Sequence, residues 1–340
     1  MAQGIDRKSA QRRRTTNACR PAVRLALASA CVLALAWGTA SAQSTYPSSV
    51  IRMISGIQPG SMPDVVARMV AEKLSKQMGR QVIVEPRPGA AGLTGAQALA
   101  RSTPDGHFVG VYTSSDMLAP LLNPGTVDPK DIAPVASFAT VPTGLTVVAN
   151  SRFGSFAELI ETARAQPGKL VVTSAGFLTA THLSWERLRA SANLNILHVP
   201  AKGAPAAVAE LMAGRADMYF SPIPGVLSLL KSGKVRLLAL SSAKRSALYP
   251  DVLTTLELGY PDSDYNFWIG MSAPVKTPRP IVERLNREVR SAVTSPELLE
   301  KFTSIGVEPL AMAVPEFEAL VKSELEANAQ LIKTRGFKPE

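Results

Sequence analysis

Short apolar runs alternate with amphipathic stretches along most of the chain after residue 50. Val50 to Ile54 predicts a strand, and the Gly/Pro loop Ser55-Gly56-Ile57-Gln58-Pro59-Gly60 leads from it into a helix. Ser61 is placed to cap the first-turn amides of that helix, Asp64 falls at the capping-box position, and Pro63 sits where no amide bond is lost. A second unit follows: strand Val82 to Val84, then the glycine-rich loop Pro88 to Gly95 opening another helix. Phe108 to Tyr112 is a β-rich run ending in Thr113-Ser114-Ser115. Leu145 to Ala149 alternates as a strand, and Ser155 with Glu158 forms a capping box for a helix closed by Pro167-Gly168.

The alternation continues with strands at Leu170 to Thr173, Ile196 to Val199, Ala216 to Tyr219 and Val235 to Leu240. Helices after Thr179, over Ala204 to Ala213 and over Val226 to Leu230 separate them. An aromatic strand follows at Phe267-Trp268-Ile269-Gly270, and the tail is helical: Ile281 to Val293, a short helix from Pro296, and Pro315 to Thr334 stopped by Gly336. Regular β-α order with short connections predicts an α/β protein with a mostly parallel sheet in each of two lobes.

The first 42 residues change the reading of charge. Arg12, Arg13, Arg14, Arg20 and Arg24 precede an apolar run from Leu25 to Trp37, and Ala40-Ser41-Ala42 supplies a small-residue cleavage site before Gln43. The run is shorter than the ~20 residues that span a bilayer, so the segment reads as a cleaved secretory signal and not an anchor. It holds seven Lys/Arg and one Asp, so the formal +10 becomes +10 − (7 − 1) = +4 in the remainder. Scattered over the 340 − 42 = 298 residues of the mature chain, that charge gives nucleic-acid binding no footprint. Cys19 and Cys31 leave with the signal, so the mature chain has no disulfide, thiol nucleophile or thiolate metal site and relies on its core.

Chemistry-bearing motifs are sparse. His107, His182 and His198 lie on separate units without paired spacing, and neither a Gly-x-Ser-x-Gly elbow nor a P-loop is present. A lone histidine is more often a structural hydrogen-bonder than a catalyst; no cofactor or metal is expected. What stands out is two loops opening two helices, at Gly56 to Asp64 and at Gly89 to Gly92. Free backbone N–H groups and the positive dipole end of a helix favour an anion, and glycines at 56, 60, 89 and 92 admit close approach. Strand-loop-helix joints of this kind also occur in many α/β proteins that hold no ligand there. Thr113 and Ser114 either line a cleft or cap the next helix.

The runs Pro59-Gly60-Ser61-Met62-Pro63-Asp64-Val65-Val66-Ala67-Arg68, Val84-Glu85-Pro86-Arg87-Pro88-Gly89-Ala90-Ala91-Gly92 and Pro104-Asp105-Gly106 resemble the substrate-binding receptors of tripartite tricarboxylate transporters, the Bug family of periplasmic proteins. The resemblance continues through Ser174-Ala175-Gly176, Thr181-His182-Leu183, His198-Val199-Pro200, Gly214 to Met218, Leu238 to Leu240 and Ala273-Pro274. It implies a two-lobed periplasmic-binding fold of type II, with the ligand cleft between lobes. The expected division is a signal at 1–42, lobe one at 43–143, lobe two at 144–266 and a return to lobe one at 267–340. The implied site draws on Gly56, Gln58, Pro59, Gly60, Ser61, Met62, Asp64, Gly89, Ala90, Ala91, Thr113 and Ser114 in lobe one. Lobe two is expected to supply Ala175, Gly176, Phe177, Thr181, His182, Ala201, Lys202 and Ser221 across the cleft.

Departures from the family wording bear on the ligand. Ala201 stands where Tyr is frequent, Ser221 where Asp is frequent, Pro86 for Asn and Ser61 for Gly, so the pocket is expected to be less polar than usual. The implied function is periplasmic capture of a small carboxylate by a monomer, for delivery to membrane transporter subunits. A sensory receptor presenting its ligand to a histidine kinase, and a periplasmic hydrolase or transferase, are the alternatives.

Overall fold

The computed structural model describes residues 46–335 apart from 118, 119, 122 and 124; the expected signal segment, both cysteines and Gly336 lie outside the described residues. In chain order the first part comprises β1 (Ile51–Ser55), α1 (Met62–Met78), β2 (Val82–Pro86), α2 (Leu93–Ala100), β3 (Phe108–Thr113) and β4 (Ile132–Thr140). The middle comprises β5 (Thr143–Val148), α3 (Phe156–Ala165), β6 (Val171–Ser174), α4 (Ala180–Ala192), β7 (Leu197–Pro200), α5 (Ala204–Met212), β8 (Met218–Pro222), α6 (Ile223–Lys231) and β9 (Val235–Leu240). The return comprises β10 (Trp268–Pro274), α7 (Arg279–Val293), α8 (Pro296–Ser304), β11 (Glu308–Pro309) and α9 (Val314–Arg335).

These strands form two sheets, in the orders β11-β4-β10-β3-β1-β2 and β7-β6-β8-β5-β9. Both are mixed, which corrects the expectation of mostly parallel sheets. Pairing is parallel only within the β-α-β runs, β2-β1-β3 and β7-β6-β8. Strands β4, β5 and β10, which carry the chain between the sheets, pair antiparallel to their neighbours. The chain leaves the first sheet at Thr140 and enters the second at Thr143.

Each sheet has its own core. In α1 the residues Val66, Ala67, Val70 and Leu74 recur on one helical face and are buried against Ile51 and Met53 of β1 and Val109 of β3. Gly79 stops the helix in the left-handed conformation at φ 63°. In the second lobe Leu145, Val147, Val172 and Phe220 face Leu159, Ile160, Trp185 and Leu188. Each such side chain contributes roughly 1.5–3 kcal/mol on full burial, which lets the described residues, among which there is no cysteine, hold two lobes.

A third cluster joins them: Ala180 and Leu183 of α4 meet Tyr265 and Leu331 of α9, with Leu121 and Leu178 against it. Beside it Arg187 donates to Asp264 O at 2.6 Å and to Asn328 Oδ1 at 2.9 Å, so helix α4 of one lobe is bonded to helix α9 of the other.

Candidate ligand-binding cleft

Ligands of open α/β sheets bind beyond the carboxyl ends of parallel strands, and here those ends are β1, β2 and β3 in one lobe and β6, β7 and β8 in the other. The loop after β1 leaves Gln58, Pro59 and Gly60 exposed, with Ser61 and Met62 half-buried. Ser61 is the N-cap residue of α1 but makes no side-chain cap; its hydroxyl donates to Gln58 O at 2.7 Å. The expected Ser61 cap is therefore not formed, and the loop closes on itself instead. Asp64 turns inward, accepting the Gly60 amide and Arg68 Nε, both at 2.9 Å. Burial alone raises a carboxyl pKa, but the bonds from Arg68 and Gly60 outweigh it and hold Asp64 below its ordinary range. Asp64 thus shapes the loop and is not displayed to a ligand.

The second glycine loop packs against the first. A Cβ on Gly56 would stand 2.7 Å from Gly92 O, and one on Gly95 would stand 2.6 Å from Gly56 Cα, so these glycines let the two loops approach each other. Gly92 has φ 93°, and around it Gly92 N and Thr94 N donate to Gly89 O while Leu93 N donates to Ala90 O. The start of α2 consumes its own first amides, which leaves the backbone ahead of it, at Gly89, Ala90 and Ala91, as the part of the loop that can meet a ligand.

The end of β3 is held by a residue that pattern reading passed over. Thr113 donates its amide (2.9 Å) and its hydroxyl (2.8 Å) to Asp116 Oδ2, so Thr113 is engaged within its own turn. Burial pushes the Asp116 carboxyl up to about 6, although both bonds from Thr113 oppose the shift. Ser114 is buried; its hydroxyl and that of Tyr265 face each other without satisfying hydrogen-bond geometry.

In the second lobe the loop after β6 is also tied down. Ala175 N donates to Thr181 Oγ1 at 2.9 Å, Gly176 N to Ser174 Oγ at 3.3 Å, and Gly203 N to Ala175 O at 2.9 Å. Ala201 N donates to Ser174 O at 2.9 Å, which joins the loop after β7 to the loop after β6. Lys202 is exposed and makes no salt bridge among the described residues. Ser221 is fully buried and its hydroxyl lies 2.5 Å from Thr146 Oγ1, so that hydroxyl is already engaged.

His182 and His198, far apart in sequence, form one stack. Their rings lie 4.4 Å apart at 21°, with Phe177 on the outer face of His182 at 4.9 Å. His182 Nδ1 accepts the Leu178 amide at 3.1 Å and His198 Nε2 lies 2.8 Å from Ser174 Oγ. Burial, then the neighbouring His198 and Arg189, push His182 down to about 3; burial and Arg189 push His198 down to about 4. Both rings are neutral at pH 7, the state a hydrogen-bonded wall requires. His107 is structural, accepting the amides of Ser48 and Ser49.

The helices opening this cleft, α1, α2, α4 and α5, carry no side-chain cap at their N-termini. Helix α3, which follows the antiparallel strand β5, is capped by Ser155 accepting Glu158 N, with Glu158 Oε2 accepting Gly154 N. The two halves of the cleft meet at its base, where Leu178 of the β6–α4 loop and Leu121 beyond β3 pack on the same cluster. Two lobes joined by crossing strands, with backbone-rich loops facing one gap, define a solute-binding protein of the periplasmic type.

The chain belongs to the tripartite tricarboxylate transporter receptor family, whose model matches residues 66–337. It is 32% identical to Protein BugT of Bordetella pertussis over 300 residues, covering 86% of this chain and 91% of that one. Among solved structures, an R. palustris protein with adipate superposes with TM-score 0.71 at 27% identity, over 87% of this chain and all of that one. MatC from Rhodopseudomonas palustris with bound malate gives 0.69 at 26%, over 84% of this chain and all of that one. The family is one of periplasmic receptors, and among the described residues no helix is long and apolar enough to cross a membrane.

Proposed function

We propose that this protein captures a small organic acid in the cleft between its lobes and hands it to the membrane subunits of a tripartite transporter. The observation that carries the reading is the position of three helix starts, α1, α4 and α5, at the carboxyl ends of parallel strands, with Gln58, Pro59 and Gly60 exposed in the loop before α1. Such ends offer backbone N–H groups and a positive dipole to an anion. Related proteins of the family hold adipate and malate, both carboxylates. The ligand contacts are drawn from Gln58 to Met62 and Gly89 to Ala91 in lobe one, and from Phe177, Ala201 and Lys202 in lobe two.

The ligand carries no free amino group. A buried ammonium is costly without an acidic partner, and Ser221 supplies a hydroxyl already engaged with Thr146. Phe177 and Met62 favour an aliphatic or aromatic body. The protein acts as a monomer in the periplasm after cleavage behind Ala42, and binds without chemistry; His182 and His198 are held as neutral, hydrogen-bonded groups.

A thermal-shift screen of organic acids, their amides and amino acids tests this. A ligand at ~100 times its dissociation constant adds roughly 2.7 kcal/mol to stability, a shift read directly as Tm. Carboxylates are expected to raise Tm. A shift with amides or amino acids alone would refute the assignment.

A further inference from the structure

Three pieces of lobe one converge on a single half-buried carboxyl, that of Asp116. Asp116 Oδ2 accepts both the amide and the hydroxyl of Thr113 at the end of β3. Its Oδ1 lies 3.1 Å from where a Cβ would stand on Gly92, in the second glycine loop. Gly92 in turn is the residue on which Gly56, in the first loop, rests. Between them is a cavity of about 10 Å³, lined by Gly56, Gly92, Gly95, Gly110, Tyr112 and Asp116. Asp116 therefore sits directly beneath the two loops that present backbone to the cleft.

We propose that Asp116 positions both glycine loops and gates an anionic ligand by its own charge, a neutral Asp116 admitting a carboxylate and an ionised one opposing it. This rests on the carboxylate-receptor reading above. The groups facing Asp116 supply no compensating cation. From β3 come Thr113, the Ser115 hydroxyl bonded to it at 3.1 Å, and the Tyr112 phenol; from the return segment comes the Tyr265 phenol. Burial, chiefly, raises both phenols above their ordinary range, and the Asp116 charge adds to it, so neither is an anion at neutral pH. From α2 and the residue before it come Gly92, Gly95, Ala96 and Leu99, none of them ionisable. Asp116 makes no salt bridge among the described residues, in contrast to Asp64, which is paired with Arg68.

A site that must receive a negative charge above a carboxyl with no cationic partner among the described residues binds best when that carboxyl holds a proton. With burial pushing it up to about 6, the change falls between pH 5 and pH 8. The expected weakening over that range is about tenfold, the order for two charges roughly 10 Å apart at an intermediate dielectric constant.

The test compares wild type with Asp116→Asn, which keeps an acceptor for Thr113 but cannot ionise. Adipate is titrated calorimetrically at pH 5, 6, 7 and 8, and urea unfolding of the unliganded proteins is followed at the same pH values. Wild-type affinity is expected to fall about tenfold while D116N stays flat, at the wild-type pH 5 level. Without ligand, D116N is expected to gain on wild type in stability as pH rises towards 7, because a carboxyl raised in the folded state opposes folding above the unfolded pKa. A wild-type affinity that does not change with pH, or an equal slope in D116N, overturns the proposal. If no carboxylate binds at any pH, the receptor reading fails, and the ligand-free unfolding profiles still decide about Asp116: parallel profiles overturn it.

Discussion

Gly95→Ala is the substitution that most sharply tests how the two glycine loops are assembled. Inside a helix, alanine is favoured over glycine by about 1 kcal/mol, so propensity alone predicts a gain. At this position the new Cβ would lie 2.6 Å from both Cα and N of Gly56, against a normal carbon contact of about 3.5–4.0 Å. The obstruction is backbone, so relief requires moving the β1–α1 loop by about 1 Å; overpacking of this kind costs about 1–3 kcal/mol. The net is a loss of up to about 2 kcal/mol, a drop in Tm of several degrees, with weakened carboxylate binding because the displaced loop is the one ending in Ser61 and Met62. Gly225→Ala is the matched control. Gly225 is exposed in the first turn of α6 with no atom within 4 Å of the added Cβ, and the same change there should add about 0.5–1 kcal/mol. Urea unfolding with calorimetric titration of adipate reads both. If G95A is stabilised as G225A is, the loops do not touch as described.

Three further outcomes are expected. Ser155→Ala removes the cap accepting Glu158 N and should lower stability by about 1 kcal/mol in chemical denaturation, leaving ligand affinity unchanged because α3 starts away from the cleft; an affinity loss would contradict that placement. His182 and His198 have folded pKa values below the ordinary 6.5, so the unfolded chain takes up their protons first and stability should fall as pH drops from about 6.5 towards 4; His198→Gln should flatten part of that fall in pH-dependent unfolding, and an unchanged profile would count against the buried stack. Glu324 is raised to about 7 chiefly by burial, so ionisation opposes the fold as pH climbs through the 4.5–7 window; Glu324→Gln should gain on wild type across it, and matched pH profiles would show the carboxylate to be solvated.

Most helices and strands were legible because burial repeats with their period: Val66, Val70 and Leu74 on α1 are as plain in the sequence as in the core. Strand β4 was not legible. Pro134 interrupts its run, and the structure tolerates it at a register shift, where it faces Ser272 between Met271 and Ser272 of β10. Its antiparallel pairing could not be read either, since direction depends on where β10 returns more than a hundred residues later. The Gly loops and Phe177, proposed ligand contacts, were legible as local wording. Asp116 was not, because a carboxylate three residues past a strand looks like any turn until Gly92 is seen above it. For Ser221 the wording suggested the cleft, and only the structure shows its hydroxyl against Thr146. The Ser61 cap was expected from wording alone; in the structure the hydroxyl donates to Gln58 O and accepts no first-turn amide.

The bond from Arg187 on α4 to Asn328 on α9 lies away from the strands that pass between the lobes. Ser246 of the second lobe also meets Glu308 of β11 in the first, at 2.5 Å. A molecule fastened at such points is less a trap swinging on a free hinge than a clasp with side straps. Opening wide would expose Leu183 and Leu331 and strip polar partners from Arg187, so any separation of the lobes must first break these contacts.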